Sequence, residues 1–360
     1  NDDCGTPMPL PKPDNVTRFY SGNVNGIKYT KTGNPRRDHS EEQHHMEADV
    51  RGYIEHNLDT MNFQVREMFH KTAKLANPHY VLTMASSTIP AATTYKPGGT
   101  ASIAMGDITG RLSEHGSDDL GRWSFMKFQG RSGRVVTHIT AYQVCVRPTN
   151  KTGFTAFHQQ EVLLRRKQRT DTNPRKNFHS DLKRFIQGCH QLRNEDIYLA
   201  GDFNETLEHS NSRMRNLCAE CNLVDIWTQL HPEHPDFATY IRGSTRIDYS
   251  LVSISLVSAI RSIGYEPFHF RSKTDHRGLY VDFHTDLLFG NETHGLANTP
   301  MRGISSKDIK SCETFIEASC SHCSENYLFT NLNTLVQSRQ QDDNAIEPFD
   351  QLLEAAGTYA

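Results

Sequence analysis

Short apolar runs recur along residues 17–284, and several of them end at Gly, Asp or Asn. These runs are rich in Val, Ile, Tyr and Thr, which predicts β-strands. Segments with apolar residues at helical spacing lie between them, and they predict helices. The predicted strands are 18–24, 49–54, 80–86, 100–106, 135–142, 197–200, 246–253 and 278–283. The predicted helices are 59–75, 157–169, 181–189 and 213–222.

Many strands with a few helices between them predict two mixed β-sheets packed face to face, with helices outside. We expect a loose, proline-containing leader over 1–16 and one domain over 17–284. We further expect a linker over 285–305 and a polar helical connector over 306–360, which gives the chain a helical C-terminal extension. No apolar run approaches the roughly 18 residues of a membrane span, so no membrane partner is expected.

Composition and charge narrow the class of protein. With 36% hydrophobic and 9% aromatic residues, the chain can form a folded core. The net charge is only −3, but residues 151–190 hold nine Lys/Arg against three Asp/Glu. This basic segment suits an anionic partner, and Arg165 and Arg166 are its candidate contacts to a nucleic-acid backbone. A solvated helix face explains the same residues equally well.

Polar side chains follow two of the predicted strands. In 197–204 a buried strand ends at Gly, and Asp202 and Asn204 come directly after it. Asn23 and Asn25 stand in the same way at the end of an earlier strand. Because residues two apart on an extended chain point to the same side, each pair is expected to hold a water or a phosphate. The Asn-Gly sequence at 25–26 also fits an ordinary turn.

Two further strand ends carry residues suited to phosphate chemistry. Glu55 follows the strand 49–54, and Mg²⁺ is commonly bound through one or two carboxylates. Asp275 precedes His276, and Asp248 lies in an Arg-Ile-Asp-Tyr sequence. A buried aspartate can hold a histidine in one tautomer and stabilise its charged form. Taken singly, each of these residues also fits an ordinary surface position.

The order of these motifs is N-x-N-G, Glu, G-D-x-N, R-I-D-Y and D-H, and together they resemble the endonuclease/exonuclease/phosphatase superfamily. That superfamily includes abasic-site endonucleases and retrotransposon endonucleases. The resemblance covers about 17–284 and implies a four-layer α/β (α+β) sandwich. The sequence Thr-Ala-Tyr at 140–142 falls where nuclease members place a phosphate-contacting tyrosine. His138 lies on the same strand face, so the choice between it and Tyr142 stays open at this point.

The resemblance also implies roles for individual residues. Glu55 would bind the catalytic Mg²⁺, for which Mn²⁺ can substitute, with Asn23 and Asp275 close to the metal. Asp202 would orient or deprotonate the attacking water. Asn25 and Asn204 would hold the water and the phosphate, and Tyr142 would contact the phosphate. The Asp248–His276 dyad would stabilise the pentavalent phosphorane.

The sequence departs from the family pattern at two places. Many relatives carry Leu-Gln-Glu-Thr around the metal-binding glutamate, whereas residues 53–56 read Tyr-Ile-Glu-His. Position 25 is Asn rather than Asp. The carboxylate of Glu55 is kept, so we expect it to bind the metal. Because its neighbours differ, we do not expect the local geometry of the relatives.

These observations predict a Mg²⁺-dependent endonuclease that hydrolyses a DNA phosphodiester bond. The polar connector after the nuclease segment resembles a non-LTR retroelement polyprotein, in which a reverse transcriptase would follow. The expected location is intracellular, and nuclear for a eukaryotic retroelement product. The sequence does not determine the oligomeric state.

Three alternatives stay open. The first is a phosphomonoesterase of the same fold that acts on inositol phosphates or lipid headgroups. The second is a catalytically inactive nucleic-acid-binding module. The third is a zinc-binding module built on the pairs Cys218/Cys221 and Cys320/Cys323, although a zinc site would need all four ligands to meet.

Overall fold

The structure, a computed structural model, divides into two compact units, Asn1–Pro300 and Met301–Ala360. It describes residues 4–27, 46–91, 93–146, 154–193, 195–234, 236–270, 274–290, 309–325, 327 and 330.

The described part of the first unit contains thirteen β-strands and six α-helices. The strands are β1 Cys4–Gly5, β2 Val16–Asn23, β3 Val50–Ile54, β4 Tyr80–Ala85, β5 Thr100–Met105, β6 Leu112–Ser117, β7 Trp123–Gln129, β8 Val135–Tyr142, β9 Asp196–Asp202, β10 Leu223–Asp225, β11 Asp248–Ser253, β12 Ile260–Tyr265 and β13 Leu279–His284. The helices are α1 Phe63–Ala76, α2 Ala156–Arg166, α3 Pro174–Arg193, α4 Arg213–Glu220, α5 Ile226–Leu230 and α6 Thr285–Phe289, with 3-10 helices at Gly106–Arg111, Arg131–Gly133 and Ile254–Ala259.

The strands form two mixed sheets. The first has the order β1-β12-β13-β2-β3-β5-β4 and the second the order β10-β11-β9-β8-β7-β6. In the first sheet β2 and β3 are parallel, and in the second β8 and β9 are parallel. The other neighbouring strands are antiparallel. Parallel neighbours end at the same edge of a sheet, so each sheet brings two strand ends to one place.

Side chains alternate between two cores along the central strands. On β9, Tyr198 and Ala200 belong to the core between the sheets, whereas Ile197 and Leu199 pack beneath α3 and α4. This alternation is the period of two that an extended strand imposes. α1 covers the outer face of the first sheet. The four layers are therefore helix, sheet, sheet and helix, which confirms the predicted fold class.

A buried ion pair links β2 to β13. Arg18 Nε donates to Asp282 Oδ1 at 2.7 Å, Arg18 Nη2 donates to Asp282 Oδ2 at 2.8 Å, and both side chains are fully buried. The two residues stand opposite each other in the ladder. Removing one partner of such a pair leaves an uncompensated buried charge. The pair therefore opposes any slip of β2, the strand that carries Asn23 and precedes Asn25.

All eight predicted strands occur, with shifted ends, but β1, β6, β7, β10 and β12 are not among the predictions. β6 shows why: its one large apolar residue is Leu112, and most of the strand is exposed at the sheet edge. An edge strand needs little apolar surface, so its sequence gives a weak signal. The predicted helix 181–189 begins earlier, at Pro174, because proline suits the first turn of a helix.

The ends of the first unit extend beyond 17–284. β1 lies within the segment assigned to a leader, and it pairs with β12. α6 lies within the segment assigned to a linker, and its Leu288 and Phe289 are buried in the core. In the second unit the described helix is α7, Ile309–Glu325. Among the described residues, no helix has both the length and the apolar character needed to cross a bilayer.

Candidate active site

The two short motifs N-x-N and D-x-N form the same local structure. The backbone N–H of Asn25 donates to Asn23 Oδ1 at 2.9 Å, and that of Asn204 donates to Asp202 Oδ1 at 2.9 Å. Both are Asx turns, in which a side chain caps the backbone two residues on. The second asparagine of each motif has a positive φ, 42° at Asn25 and 47° at Asn204. Asparagine tolerates this left-handed conformation better than most residues.

This turn corrects the expectation that both members of each pair point the same way. That expectation assumes an extended chain, and the chain leaves the extended conformation at the second member. The side chain of Asn25 is exposed and donates to Asp275 Oδ1 at 3.2 Å. Asn204 Nδ2 donates to the carbonyl of Gln143 at 2.8 Å and to Asp202 Oδ2 at 3.3 Å.

Strand register places three polar residues side by side in the second sheet. Tyr142 on β8 is the ladder partner of Asp202 on β9, and Asp202 is the partner of Asp248 on β11. All three are at most 4% exposed. Tyr142 also shares a hydrogen bond with Glu55 of the first sheet. His138, four pairs earlier on β8, is instead fully buried in the core and stacks on Tyr198.

Asn23 joins the two sheets at the site. Its Nδ2 lies 2.9 Å from Glu55 Oε2 and 2.9 Å from Asp202 Oδ2. Asn23 belongs to β2 and is the ladder partner of Ile54, the last residue of β3. One amide therefore donates to a carboxylate from each sheet. This arrangement brings Glu55 and Asp202 together although 147 positions (202 − 55) separate them in the sequence.

Glu55 holds a backbone conformation that is unusual for glutamate. Its φ is 56°, in the left-handed region. Its N–H donates to the carbonyl of Gly99 at 2.8 Å, and its own carbonyl accepts from the N–H of Gly26 at 2.9 Å. For residues other than glycine, asparagine and aspartate this region costs about 1–2 kcal/mol. Such strain is commonly concentrated at functional sites.

His276 is held by Asp248. His276 Nδ1 lies 3.0 Å from Asp248 Oδ2, while its Nε2 lies 4.0 Å from Asp202 Oδ2. The ring packs 5.1 Å from the ring of Tyr240, and Tyr240 and His276 form a β-bridge. The backbone of Asp248 is fixed in turn, because its N–H donates to Thr239 Oγ1 at 3.2 Å. Nε2 is thereby left facing Asp202.

Burial and the charges at the site together raise the pKa values of Glu55, Tyr142, Asp202 and His276. Burial and the negative charge of Asp248 raise the pKa of Asp202 to about 7. Burial disfavours the imidazolium of His276, but the charges of Asp248 and Asp202 outweigh it and raise its pKa to about 10. Burial raises the pKa of Glu55, and burial with the charge of Glu55 raises that of Tyr142 far above its usual range. At neutral pH the site therefore holds a cationic imidazole and a protonated phenol.

The donor set suits a hard divalent cation. Glu55 and Asp202 present two buried or half-buried carboxylates that share the amide of Asn23. Burial is the main cause of the raised pKa values of both carboxyls, so a bound cation would favour their ionised forms. Oxygen ligands of this kind are those that Mg²⁺ and Mn²⁺ prefer. Ligand atoms of Asp202, Asp248 and His276 also all lie within 4.8 Å of one another.

Asp275 lies at the edge of this group. Through Asn25 it is connected to the first Asx turn, and its charge contributes to the raised pKa of Glu55. The backbone here is tied to the neighbouring loop, because Ile241 N–H donates to the Asp275 carbonyl at 2.8 Å. Of the predicted site residues, eight meet here: Asn23, Asn25, Glu55, Tyr142, Asp202, Asn204, Asp248 and His276, with Asp275 beside them.

Arg165 and Arg166 do not join the site. They end α2, about 15 Å along the helix from its first residue, at 1.5 Å per residue. Arg165 pairs with Glu161 at 3.1 Å, and Lys167 pairs with Asp119. These ion pairs neutralise part of the positive charge in the basic segment.

Sequence analysis assigned Arg175 to the same basic segment, but the structure places it behind the site. Arg175 is 9% exposed, and its Nη1 donates to the carbonyl of Val144 at 2.7 Å. Its Nη2 donates to the carbonyl of Asn204 at 3.0 Å and lies 3.3 Å from Glu205 Oε2. A count of charged residues cannot distinguish a buried arginine that donates to two backbone carbonyls from a solvated arginine. The signal that could have found it is its position, directly after Pro174 at the start of a helix.

The two Cys-x-x-Cys pairs lie in different units. Cys218 is in α4 and Cys221 is its C-cap, whereas Cys320 and Cys323 are in α7. All four are free thiols. Burial raises the pKa of Cys218 to about 12 and that of Cys221 to about 11, which opposes the thiolate form that zinc requires.

No protein-family model and no curated protein matches this sequence. Among solved structures, the AP endonuclease LMAP from Leishmania major aligns with a TM-score of 0.52 and 14% identity, over 74% of this chain and 87% of its own. The 3′ phosphatase NExo from Neisseria, bound to a product DNA hairpin, aligns with 15% identity over 74% and 99% of the two chains, and its TM-score is 0.49. The human Nocturnin catalytic domain with bound sulfate has 17% identity over 74% and 93%, and a TM-score of 0.49. The alignment with the AP endonuclease shows that the two chains share a fold, and this is the fold that the resemblance to the endonuclease/exonuclease/phosphatase superfamily implies.

Proposed function

We propose that this chain, which has the endonuclease/exonuclease/phosphatase fold, is a divalent-metal-dependent hydrolase that cleaves an internal phosphodiester bond of DNA. The observation that carries the proposal is the contact of Asn23 with both Glu55 and Asp202, beside a histidine whose pKa is raised to about 10. Cleavage of a phosphodiester needs a proton acceptor for the attacking water and positive charge on the non-bridging oxygens. Both are present within one small group of side chains.

Each residue has a chemical task in this proposal. Asp202 accepts the proton of the attacking water, and the amide of Asn23 keeps its carboxylate oriented. His276 is cationic, and Asp248 holds it so that Nε2 donates to a phosphate oxygen. Tyr142 stays protonated and donates from the neighbouring strand.

Glu55 and Asn23 would hold the metal, with Asp275 close by. A bound Mg²⁺ or Mn²⁺ would supply positive charge to the phosphate and lower the pKa of a water. Asn25 and Asn204 complete the rim, where Asn204 is held against Asp202 by its turn. The ion would also favour the ionised carboxylates of Glu55 and Asp202, whose pKa values are raised mainly by burial.

A nicking assay tests this proposal. Supercoiled plasmid is incubated with the full chain and Mg²⁺, and the open-circular product is measured over time. We expect Asp202→Asn to lower the rate at least a hundredfold, since a positioned base contributes about 10²–10⁴. Asp119→Asn changes an exposed carboxylate outside the site and serves as the matched control. Equal rates for Asp202→Asn and wild type would refute the assigned role and leave the inactive binding module as the better hypothesis.

The same protein preparation distinguishes the proposed endonuclease from the alternative, a phosphomonoesterase. Inositol phosphates and a lipid headgroup phosphate are offered in place of plasmid, and released phosphate is measured. The proposal predicts nicking with little phosphate release. Rapid phosphate release without nicking would favour the alternative.

The finer part of the proposal concerns the product. In a retroelement, the nick leaves a 3′-hydroxyl that a reverse transcriptase extends. This part rests on fold-level analogy and not on a residue. Extension of the nicked strand by an added polymerase, without prior phosphatase treatment, is the expected result, and a blocked 3′ end would contradict it.

A further inference from the structure

A cavity of about 480 Å³ opens beside the proposed metal-binding residue. Glu55 and Tyr142 form one side of it, so it is continuous with the site. Its size falls within the roughly 300–1,000 Å³ that is usual for small-molecule sites. The other lining residues are Tyr95, Pro97, Val144, Cys145, Val146, Phe154, Thr155, Ala156 and Phe157.

Large apolar side chains are exposed around this cavity. Tyr95 is 59% exposed, Phe154 is 50% exposed and Val146 is 73% exposed. Beneath them, Val144 and Phe157 form a small buried cluster with Tyr142. An apolar hollow of this kind gains free energy when a flat apolar group covers it.

The walls are held in place before any ligand arrives. Tyr95 forms a β-bridge with Leu58, and the N–H of the next residue, Lys96, donates to the carbonyl of Asn57 at 3.0 Å. On the other wall, Thr155 caps α2 in a capping box with His158. A backbone that is fixed on both walls lowers the conformational entropy lost on binding.

The charge of the cavity decides the kind of ligand. Among the described lining residues, Glu55 is the only one that is ionised at neutral pH, because free tyrosine and cysteine titrate above pH 8. The helix N-terminus at this wall already uses its cap, so its donors are partly satisfied. None of these described lining residues is a cationic side chain that could bind a phosphate or an inositol phosphate, whereas a neutral aromatic ring would find aromatic partners.

We infer that this cavity holds an unpaired nucleobase next to the scissile phosphate, stacked between Tyr95 and Phe154. The inference rests on the proposed function, because the phosphate must lie at Glu55 and Tyr142 for its neighbouring base to reach the cavity. It extends that function by naming the substrate form: the nucleotide beside the cut is unpaired, as in single-stranded or locally opened DNA. Base–aromatic stacking is largely independent of base identity, so no sequence preference follows from this contact.

The test combines protein variants with removal of the base. A single DNA strand of about ten nucleotides, within the range of known single-strand sites, carries one ordinary phosphodiester, and its other linkages are phosphorothioates. Two further strands lack the base on the 5′ or on the 3′ side of that phosphodiester. KM and kcat are measured with the full chain for wild type, Tyr95→Ala, Phe154→Ala and Tyr95→Phe.

We expect each alanine variant to raise KM for the complete strand about tenfold, since stacking on one ring is worth about that factor. On one of the two base-lacking strands, the same variants should equal wild type. Tyr95→Phe keeps the ring and should behave as wild type throughout. Phe63→Ala removes another exposed aromatic residue, 66% exposed on α1, and is the matched control.

Each other result is decisive. Equal KM effects of Phe154→Ala on complete and base-lacking strands would overturn the inference while plasmid nicking still supported the proposed function. An enzyme that nicks plasmid but cleaves no single strand would overturn it as well. If the wild type cleaves neither substrate, the proposed function itself fails.

Discussion

Asp248 Oδ2 lies 3.0 Å from His276 Nδ1, and this contact fixes both the tautomer and the charge of the imidazole. The negative charge of Asp248 is the main reason why the pKa of His276 is raised to about 10 in spite of burial. The same charge adds to burial in raising the pKa of Asp202 to about 7. One carboxylate therefore raises the pKa of both Asp202 and His276.

Removing this charge should move the pH range of activity towards acid. In Asp248→Asn the pKa of His276 falls towards its ordinary value near 6.5, and that of Asp202 falls as well. The profile of kcat/KM against pH should therefore lose its basic limb near pH 10 and gain one closer to neutrality. At pH 8 we expect a loss of about tenfold or more, with a smaller loss at pH 6. An unchanged basic limb would show that His276 does not act as a cation.

The same pKa values predict how stability depends on pH. The pKa of His276 is raised in the folded state, so its contribution to the free energy of unfolding is complete below about pH 6.5. It is lost as the pH rises through about 10. Denaturant titrations of wild type and His276→Gln at pH 6 and pH 10 measure it. The difference between the two proteins should shrink at pH 10.

Metal binding should depend on Glu55. Mg²⁺ at a hundred times its dissociation constant stabilises a protein by about 2.7 kcal/mol, so wild type should melt several degrees higher with Mg²⁺ than with a chelator. In Glu55→Gln this shift should largely disappear, because the charged ligand is gone. Thermal melting followed by fluorescence measures both. Glu161→Gln, which changes a carboxylate on α2 that pairs with Arg165, should keep the full shift.

The backbone strain at Glu55 predicts that two variants with the same loss of activity differ in stability. Glu55→Gly and Glu55→Ala both remove the carboxylate and should both abolish nicking. Only glycine adopts the observed φ of 56° without strain. We expect the glycine variant to be more stable than the alanine variant by about 1 kcal/mol in urea unfolding. Alanine at least as stable as glycine would mean that the left-handed conformation carries no cost here.

Arg175 is expected to act as a positioning residue. It ties the carbonyl of Val144, after β8, to that of Asn204, after β9. Lysine cannot reproduce this two-pronged donation. In Arg175→Lys we expect kcat to fall about tenfold while KM changes little, because Asn204 and Asp202 lose their alignment but no substrate contact is removed.

Lys176→Ala is the control for Arg175, because Lys176 is the next residue but is exposed and pairs with Asp171. A rise in KM with unchanged kcat in Arg175→Lys would indicate that Arg175 contacts the substrate. That outcome would restore the role in backbone binding that its place in the basic segment first suggested.

The polar residues at the strand ends could be predicted from the sequence because they follow apolar runs. A strand buried on both faces is a continuous apolar run, as in 197–200, so a polar residue at its end stands out. Parallel and antiparallel neighbours then bring such ends together without any further information. Tyr142, Asp202 and Asp248 are adjacent because of register alone.

Other elements could not be predicted from the sequence in this way. β6 carries a mixed sequence because an edge strand needs little apolar surface. β12 lies inside the first sheet and is largely buried, but Arg261, Ser262 and Gly264 interrupt its apolar positions. The leader and linker boundaries failed to include β1 and α6 for a related reason. β1 has two residues and α6 has five, so both elements are too short to give a periodic signal. β1 is stabilised by its partner in the first sheet, and α6 by the core.

By itself, the sequence determined eight of the thirteen strands and four of the six helices in the described part of the first unit, that they build two packed sheets, and which polar residues stand at the ends of β2, β3, β8, β9 and β11. Local periodicity and turn chemistry carry that information. Only the tertiary structure decided that Asn23 bridges Glu55 to Asp202 and that an apolar cavity lies beside Glu55. Those features depend on how two distant sheets face each other, and the physical interactions that fix this packing act between residues far apart in the chain.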